Sequence, residues 1–160
     1  MLNITLLCVG KLKESYWRDA CAEYEKRLGA FCRFRLVEVA EERLTDNPSA
    51  AQISATIEAE GKRIMEQIPR DGAVIPLCIE GKEMDSPALA ARMQKLAVDG
   101  TSHIVFIIGG SWGLSDAVKS RAVLRLSMSP MTFPHQMARV MVLEQVYRAF
   151  QISSGGKYHK

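Results

Sequence analysis

Hydrophobic positions along the chain alternate between short apolar runs and longer stretches with helical spacing. Five runs have the length of strands, at residues 4–9, 34–39, 74–79, 103–108 and 123–128. Between them, apolar residues recur every three or four positions and predict helices over residues 15–28, 48–68, 86–98, 115–121 and 134–152. This alternation predicts an α/β domain with a mainly parallel sheet and helices on both faces.

Irregular segments are expected at residues 40–47, 80–85 and 129–133 and from residue 153 onward. Some of them directly follow predicted strands. In an open α/β sheet, ligands bind beside the carboxyl ends of the strands. We therefore expect a pocket where these loops meet.

The composition favours one soluble domain over residues 1–160. Hydrophobic residues make up 48% and charged residues 24% of the 160 residues, as in ordinary globular proteins. No apolar run approaches the roughly 20 residues that a membrane span requires. The opening residues have no basic leader and read as a first strand, so no export signal is expected.

Cysteine spacing gives no sign of disulfides or of a metal site. Cys8, Cys21, Cys32 and Cys78 form no C-x-x-C pair and lack the spacing of zinc ligands. We interpret them as reduced thiols of a cytoplasmic protein, and expect no metal cofactor.

Positive charge is concentrated in the last third of the chain. Residues 1–110 carry 14 basic and 16 acidic side chains, whereas residues 111–160 carry 7 and 2. Such a distribution could neutralise the phosphates of a nucleic acid. A solvated basic face would give the same pattern.

A glycine-rich turn follows the fourth predicted strand, in the sequence I-G-G-S-W-G-L-S that begins at Ile108. Glycines there let a ligand approach the backbone, and free N–H groups at a helix start can bind polar atoms. The order of glycines is not that of the dinucleotide fingerprint, and the chain has no phosphate-binding P-loop. An ordinary tight turn is the alternative.

The segment from Leu126 to Pro134 combines apolar side chains, hydroxyls and two prolines. Its apolar faces and backbone groups would suit a flat heteroaromatic ring, although a loop that merely covers the core would look similar. His135, at the start of the last helix, could transfer protons or serve only a structural purpose. That helix is apolar or amphipathic around nearly its whole circumference, which predicts two-fold pairing with a second subunit or, alternatively, one deeply buried helix.

Together these motifs closely resemble the RlmH family of the SPOUT superfamily, whose members methylate a pseudouridine in bacterial large-subunit ribosomal RNA. The resemblance is carried by I-G-G-S-W-G-L-S, L-S-M-S-P-M-T-F-P-H-Q, R-V-M-V-L-E-Q-V-Y-R-A-F and the terminal Y-H-K. Likeness to this family implies a trefoil-knotted α/β fold, a homodimer, and S-adenosylmethionine as the methyl donor, bound without a metal.

The resemblance also implies roles for individual residues. Those expected to contact the cofactor are Leu77, Ile79, Gly109, Gly110, Leu126, Met128, Ser129, Pro130, Met131, Thr132 and Phe133. His135, Tyr158 and His159 match catalytic positions, the last two supplied across the dimer interface. Arg139, Arg148, Lys157 and Lys160 are expected to contact RNA. One departure is visible, because Ser111 and Trp112 stand where smaller or more polar residues are expected.

The implied reaction is transfer of a methyl group to N3 of a pseudouridine in the assembled ribosome. Two rival functions remain open on the sequence. One is a noncatalytic RNA-binding factor for ribosome assembly on the same scaffold. The other is a nicotinamide-dependent oxidoreductase, which the absence of any acidic residue from Ala117 to Leu143 disfavours.

Overall fold

Five parallel strands form a single sheet in the computed structural model, which describes all 160 residues. The elements in chain order are β1 (Asn3–Val9), α1 (Ser15–Leu28), β2 (Arg33–Val39), α2 (Ala50–Gln67), β3 (Ala73–Glu83), α3 (Ser86–Val98), β4 (His103–Ile108), α4 (Asp116–Ser120), β5 (Leu126–Ser127) and α5 (His135–Ser153). The strand order across the sheet is β2-β1-β4-β3-β5. Every pairing is parallel, as the alternation of apolar runs and helices predicted.

Helices cover both faces of the sheet because alternate strand residues point to opposite sides. On β1, Ile4 and Leu6 pack in the larger core cluster, which includes buried residues of α1, α3 and α5. Leu7 and Val9 point the other way into a smaller cluster that includes buried residues of α2 and α4. The two-sided burial explains why the central strands are nearly continuous apolar runs.

Helix starts carry the capping chemistry that their sequences indicate. The Ser49 hydroxyl accepts a hydrogen bond from the Gln52 N–H, and the Ser49 N–H donates one to the Gln52 side-chain oxygen, which completes a capping box. Asp85 and Ser115 cap α3 and α4 in the same way, through the backbone N–H groups of Ala88 and Val118. These caps fix where each helix begins, and so where the preceding loop must end.

The predicted loop over residues 80–85 was wrong for its first four residues, which belong to β3. The polar residues in this segment suggested a loop. The strand nevertheless continues beside the residues that precede β5, because the Lys82 N–H donates a hydrogen bond to the Arg125 carbonyl. Conversely, β5 covers only Leu126–Ser127 of the predicted 123–128. Its pairing with β3 shifts in register between Leu77 and Lys82, which interrupts a regular ladder.

Helix α5 packs between α1 and α3 on one face of the sheet. Its buried stripe comprises Val142, Leu143, Val146 and Ala149, together with Arg139. No residue from 138 to 152 is exposed, although many are only half-buried. No helix of the chain is long and apolar enough to cross a membrane.

Candidate active site

A cavity of about 410 Å³ lies where β3 leaves β4 and where β4 and β5 end. This volume falls within the range of roughly 300–1,000 Å³ that small-molecule sites occupy. Three parts of the chain form its wall, namely the middle of β3, the turn after β4, and the segment from β5 into α5. Its lining residues are Leu77, Cys78, Ile79, Ile108, Gly109, Gly110, Ser111, Trp112, Gly113, Leu114, Leu126, Ser127, Met128, Ser129, Met131, Thr132, Phe133, His135 and Ala138.

The turn after β4 is closed by a hydrogen bond from the Gly113 N–H to the Gly110 carbonyl at 3.1 Å. Gly113 has φ of +91°, a conformation that side chains with a Cβ rarely adopt. A Cβ on Gly109 would lie 2.8 Å from Leu114 Cδ2, and one on Gly110 would lie 2.9 Å from Glu60 Oε1. The turn therefore needs glycine for lack of space, and it presents bare backbone to the cavity.

The opposite wall, from β5 into α5, is shaped by local hydrogen bonds. The Ser127 hydroxyl donates to the Ser129 carbonyl at 3.2 Å, and the Ser129 hydroxyl accepts from the Met131 N–H at 3.0 Å. These bonds hold a short loop whose half-buried Met128 and Phe133 face the cavity. The wall is thus apolar, with hydroxyl and backbone groups at its edge.

All of the residues predicted to contact the cofactor line this cavity except Pro130. Pro130 is exposed and not part of the lining, because the loop turns at this residue between Ser129 and Met131. Its contact with the cofactor stays a prediction.

The lining also includes residues to which no individual cofactor contact was assigned. Six of them belong to the two segments predicted as candidate ligand sites, namely Ile108, Ser111, Trp112, Gly113, Leu114 and Ser127. Cys78 and Ala138 lie outside those segments. Ala138 lies one helical turn beyond His135, and only the position of α5 brings it to the wall.

The histidine at the start of α5 reaches the cavity, whereas the residues at the chain terminus do not. His135 is half-buried and lines the cavity. The Tyr158 hydroxyl instead donates to Glu144 Oε1 at 3.0 Å, and His159 Nδ1 lies 3.1 Å from Arg148 Nη1. Glu144 is nine residues beyond His135, which is about 14 Å along the helix. Within one chain, Tyr158 and His159 therefore pack beside Glu144 and Arg148 of α5, away from the cavity.

This terminal cluster is tightly bonded. The Arg148 guanidinium lies 4.7 Å from the centre of the Tyr158 ring and binds the Glu144 carboxylate at 2.5 Å. Burial, followed by the hydrogen bond to Glu144, raises the pKa of the Tyr158 phenol to about 12. The phenol is thus a hydrogen-bond donor and no proton acceptor at neutral pH.

The residues predicted to contact RNA divide into two groups. Lys157 and Lys160 are exposed. Arg148 is half-buried against Glu144, and Arg139 is only 2% exposed. Arg139 donates to Glu38 Oε2 at 2.6 Å and to the Gly10 carbonyl at 2.8 Å, so its guanidinium is paired within the fold, and its RNA contact stays a prediction. Its partner lies 101 residues away in the chain, which no local motif reveals.

One buried acid beneath the cavity was also missed. Glu60 is 4% exposed, and its Oε2 accepts the Glu42 N–H at 2.9 Å, whereas Oε1 has no partner. Burial raises the pKa of this carboxyl, and the Glu42 hydrogen bond only partly opposes the effect. Glu60 thus packs as a largely desolvated acid under the glycine turn.

The four cysteines are all free and buried. Burial raises the pKa of Cys8 to about 12 and of Cys32 to about 11. No group of three or more His, Cys, Asp or Glu side chains is placed to bind a metal ion.

A parallel α/β sheet with an apolar pocket at its carboxyl edge is compatible with several enzyme families, and comparison with known proteins separates them. The family model described as "Predicted SPOUT methyltransferase" matches residues 2–159. The chain belongs to this family, and its class is therefore that of the SPOUT methyltransferases.

Among individual relatives, the chain is 51% identical to the ribosomal RNA large subunit methyltransferase H of Bifidobacterium adolescentis. The match extends over 159 residues, 99% of this chain and 100% of that protein.

One solved structure supports the fold. A probable methylase family protein from Haemophilus influenzae superposes with a TM-score of 0.52 and 15% identity, covering 99% of this chain and 70% of that one. The SpoU methyltransferase AviRb from Streptomyces viridochromogenes, in complex with AdoMet, gives 0.44 and 14%, covering 96% of this chain and 58% of that one. At 15% identity the likeness to the Haemophilus protein concerns the fold alone. The trefoil knot that the resemblance implies stays a prediction.

Proposed function

We propose that this chain transfers a methyl group from S-adenosylmethionine to N3 of a pseudouridine in large-subunit ribosomal RNA, with the assembled ribosome as substrate. The observation that carries the proposal is the cavity at the carboxyl edge of the sheet, in a chain that belongs to the SPOUT methyltransferases. The named function of the Bifidobacterium relative, at 51% identity over its whole length, supports RNA as the acceptor.

The wall of the cavity suits the adenosyl part of the cofactor. Leu77, Ile108 and Leu126 provide apolar surface, and the Gly109-Gly110 turn lets backbone groups approach a ligand edge closely. When bound, the cofactor supplies a methyl group already activated on a positively charged sulfur. The protein must therefore align acceptor and donor and help the imide nitrogen lose its proton.

We assign the assistance of that proton transfer to His135, because its side chain lines the cavity. It is the only histidine of the cavity wall, and histidine is the side chain most often used for proton transfer in enzymes. It makes no side-chain hydrogen bond within the chain, so a water molecule or the acceptor base could meet its ring. Its position at the first turn of α5 brings the side chain to the cavity wall.

The terminal residues Tyr158 and His159 would complete the site of a second subunit. In its own chain this segment lies beside Glu144 and Arg148, about 14 Å along α5 from His135. A two-fold homodimer would allow it to cover the partner's cavity. The apolar side chains of Met137, which is 37% exposed, and of half-buried Met141 on α5 offer a surface for such pairing. Activity on ribosomes would place the protein in the cytoplasm.

The decisive experiment is methyl transfer from radiolabelled adenosylmethionine to purified ribosomes that lack the modification. We expect one methyl group per ribosome, located on a pseudouridine by mass spectrometry of the RNA. Removing residues 158–160 should abolish turnover while leaving calorimetric binding of adenosylmethionine measurable. Binding to ribosomes without methyl transfer would instead identify a noncatalytic assembly factor, and undiminished turnover of the truncated chain would remove the role of its last residues.

A further inference from the structure

Trp112 is the most exposed aromatic side chain of the cavity wall. It is 45% exposed, whereas Phe133, the other aromatic residue of the lining, is half-buried. Tryptophan is enriched at binding surfaces because it combines a large apolar face with a polar N–H. The reaction proposed above assigns no role to this indole.

The turn that carries Trp112 is held firmly from below. It is closed by the Gly113–Gly110 hydrogen bond, and it rests on the buried side chains of Leu114 and Glu60. Neither Gly109 nor Gly110 has room for even a Cβ. An aromatic ring on so tightly packed a turn loses little freedom when a ligand stacks on it, which favours binding.

The indole also borders open space on two sides. Besides the main cavity, it lines a second one of about 430 Å³, together with Ser111, Glu60 and loop residues between Glu41 and Pro48. The two cavities meet at Ser111 and Trp112. The side chain therefore stands at the entrance to the site, while the apolar strand ends form its interior.

We propose that Trp112 is a stacking platform for an unpaired base of the RNA substrate at the entrance to the cavity. This inference rests on the proposed function. An unpaired base offers a flat π-face that an indole matches, and proteins that bind single-stranded loops recurrently use aromatic side chains in this way. A cofactor bound against the inner wall would be enclosed by the cavity. The exposed indole is therefore better placed to contact the RNA that approaches from solvent.

Steady-state methyl transfer to ribosomes by Trp112→Ala, Trp112→Phe and Trp112→Leu tests the platform. Loss of one base stack should raise KM for ribosomes about 5- to 150-fold. It should leave kcat within about twofold, as expected for an interaction made equally in ground and transition states. Trp112→Phe should recover most of the loss and Trp112→Leu little of it. Trp17→Phe, at the only other tryptophan, on α1, is the matched control and should leave KM unchanged.

Three further measurements keep the outcomes distinct. Calorimetry should give Trp112→Ala the wild-type affinity for adenosylmethionine, and size-exclusion chromatography should give it the wild-type oligomeric state. Co-sedimentation with ribosomes should show weakened binding even if no methyl is transferred, so that the platform is tested apart from catalysis.

The platform is refuted by an unchanged KM and unchanged co-sedimentation, or by equal performance of Trp112→Leu and Trp112→Phe. Weaker adenosylmethionine binding in Trp112→Ala would assign the indole to the cofactor, and conversion to a monomer would assign it to a subunit interface. Either result overturns the proposal. Failure of the wild-type protein to methylate ribosomes would instead count against the proposed function.

Discussion

Replacement of Arg139 by methionine should destabilise the fold and should have no direct effect on RNA binding. The Arg139 side chain is 3% exposed and donates to Glu38 Oε2 at 2.6 Å and to the Gly10 carbonyl at 2.8 Å. Methionine has similar length and fills much of the space, so the change removes mainly the charge and the hydrogen bonds. It leaves the Glu38 carboxylate and the Gly10 carbonyl without this partner.

The magnitude follows from the burial of the two partners. Breaking a fully buried ion pair by removing one member costs about 3–5 kcal/mol. The Glu38 side chain is 28% exposed, so water can partly solvate the carboxylate that remains. We therefore expect a loss of about 2–4 kcal/mol in the free energy of unfolding. For a domain of this size, each kcal/mol lowers Tm by roughly 2–4 °C, which gives a decrease of about 5–15 °C.

Urea and thermal unfolding, followed by far-ultraviolet circular dichroism, measure this loss. The urea midpoint should fall at an unchanged slope. Glu38→Gln and the double variant complete a thermodynamic cycle, and the coupling free energy of the pair should be clearly different from zero. Lys160→Met, which removes an exposed positive charge, is the control and should change the free energy of unfolding little.

The opposite pattern would refute the structural role of Arg139. If Arg139→Met unfolded like the wild type but bound ribosomes more weakly, with a smaller dependence of affinity on salt, its guanidinium would be contacting phosphate. The buried ion pair would then not describe the protein in solution.

Two other predictions concern buried ionisable groups. Glu60→Gln should become more stable relative to the wild type as pH rises. Because the pKa of Glu60 is raised in the folded state, its neutral form stabilises the wild type fully below the ordinary value of 4.5. This contribution is lost as pH rises through the folded pKa, whereas glutamine stays neutral. Thermal unfolding of both proteins between pH 4 and pH 8 measures the difference, and a constant difference would contradict it. The four thiols should resist an aromatic disulfide reagent at pH 8 in the native state and react in urea, because burial raises the pKa of Cys8 to about 12 and also that of the other three. Fast reaction of any thiol in the native protein would contradict its burial.

Much of the fold could be predicted because local chemistry determines it. The bounds of α1 and α3 follow from apolar spacing and, for α3, from the Asp85 cap. The segment over Glu80–Glu83 could not be predicted, since its polar side chains are exposed and its strand character comes from a neighbour more than 40 residues later. Intrinsic propensity reflects only the residues next to a position in the sequence, whereas strand pairing depends on the segments that pack beside it in the folded protein.

The candidate site shows the same division. Its wall could be predicted because loops at the carboxyl ends of parallel strands converge, and because the resemblance marked the segments concerned. The burial of Arg139 could not be predicted, since its motif gives a residue type and a helix but not the direction in which the side chain points. Glu60 was missed because an acid in the middle of an amphipathic helix normally faces water. The Glu60 carboxylate lies under the glycine turn, where a Cβ on Gly110 would be 2.9 Å from its Oε1. This contact joins residues 50 positions apart, and no local pattern around Glu60 indicates it.

The strand order has a consequence for synthesis of the protein. β1 lies between β2 and β4, yet β4 leaves the translating ribosome roughly a hundred residues after β1, and α5 follows later still. Until then the apolar face of β1 that α5 helps to cover has few partners, and contacts between such distant segments form slowly. A nascent chain that stalls before α5 would expose this surface and be prone to aggregate. We expect incomplete products of this gene to be cleared by proteolysis, with no partly working fragment surviving.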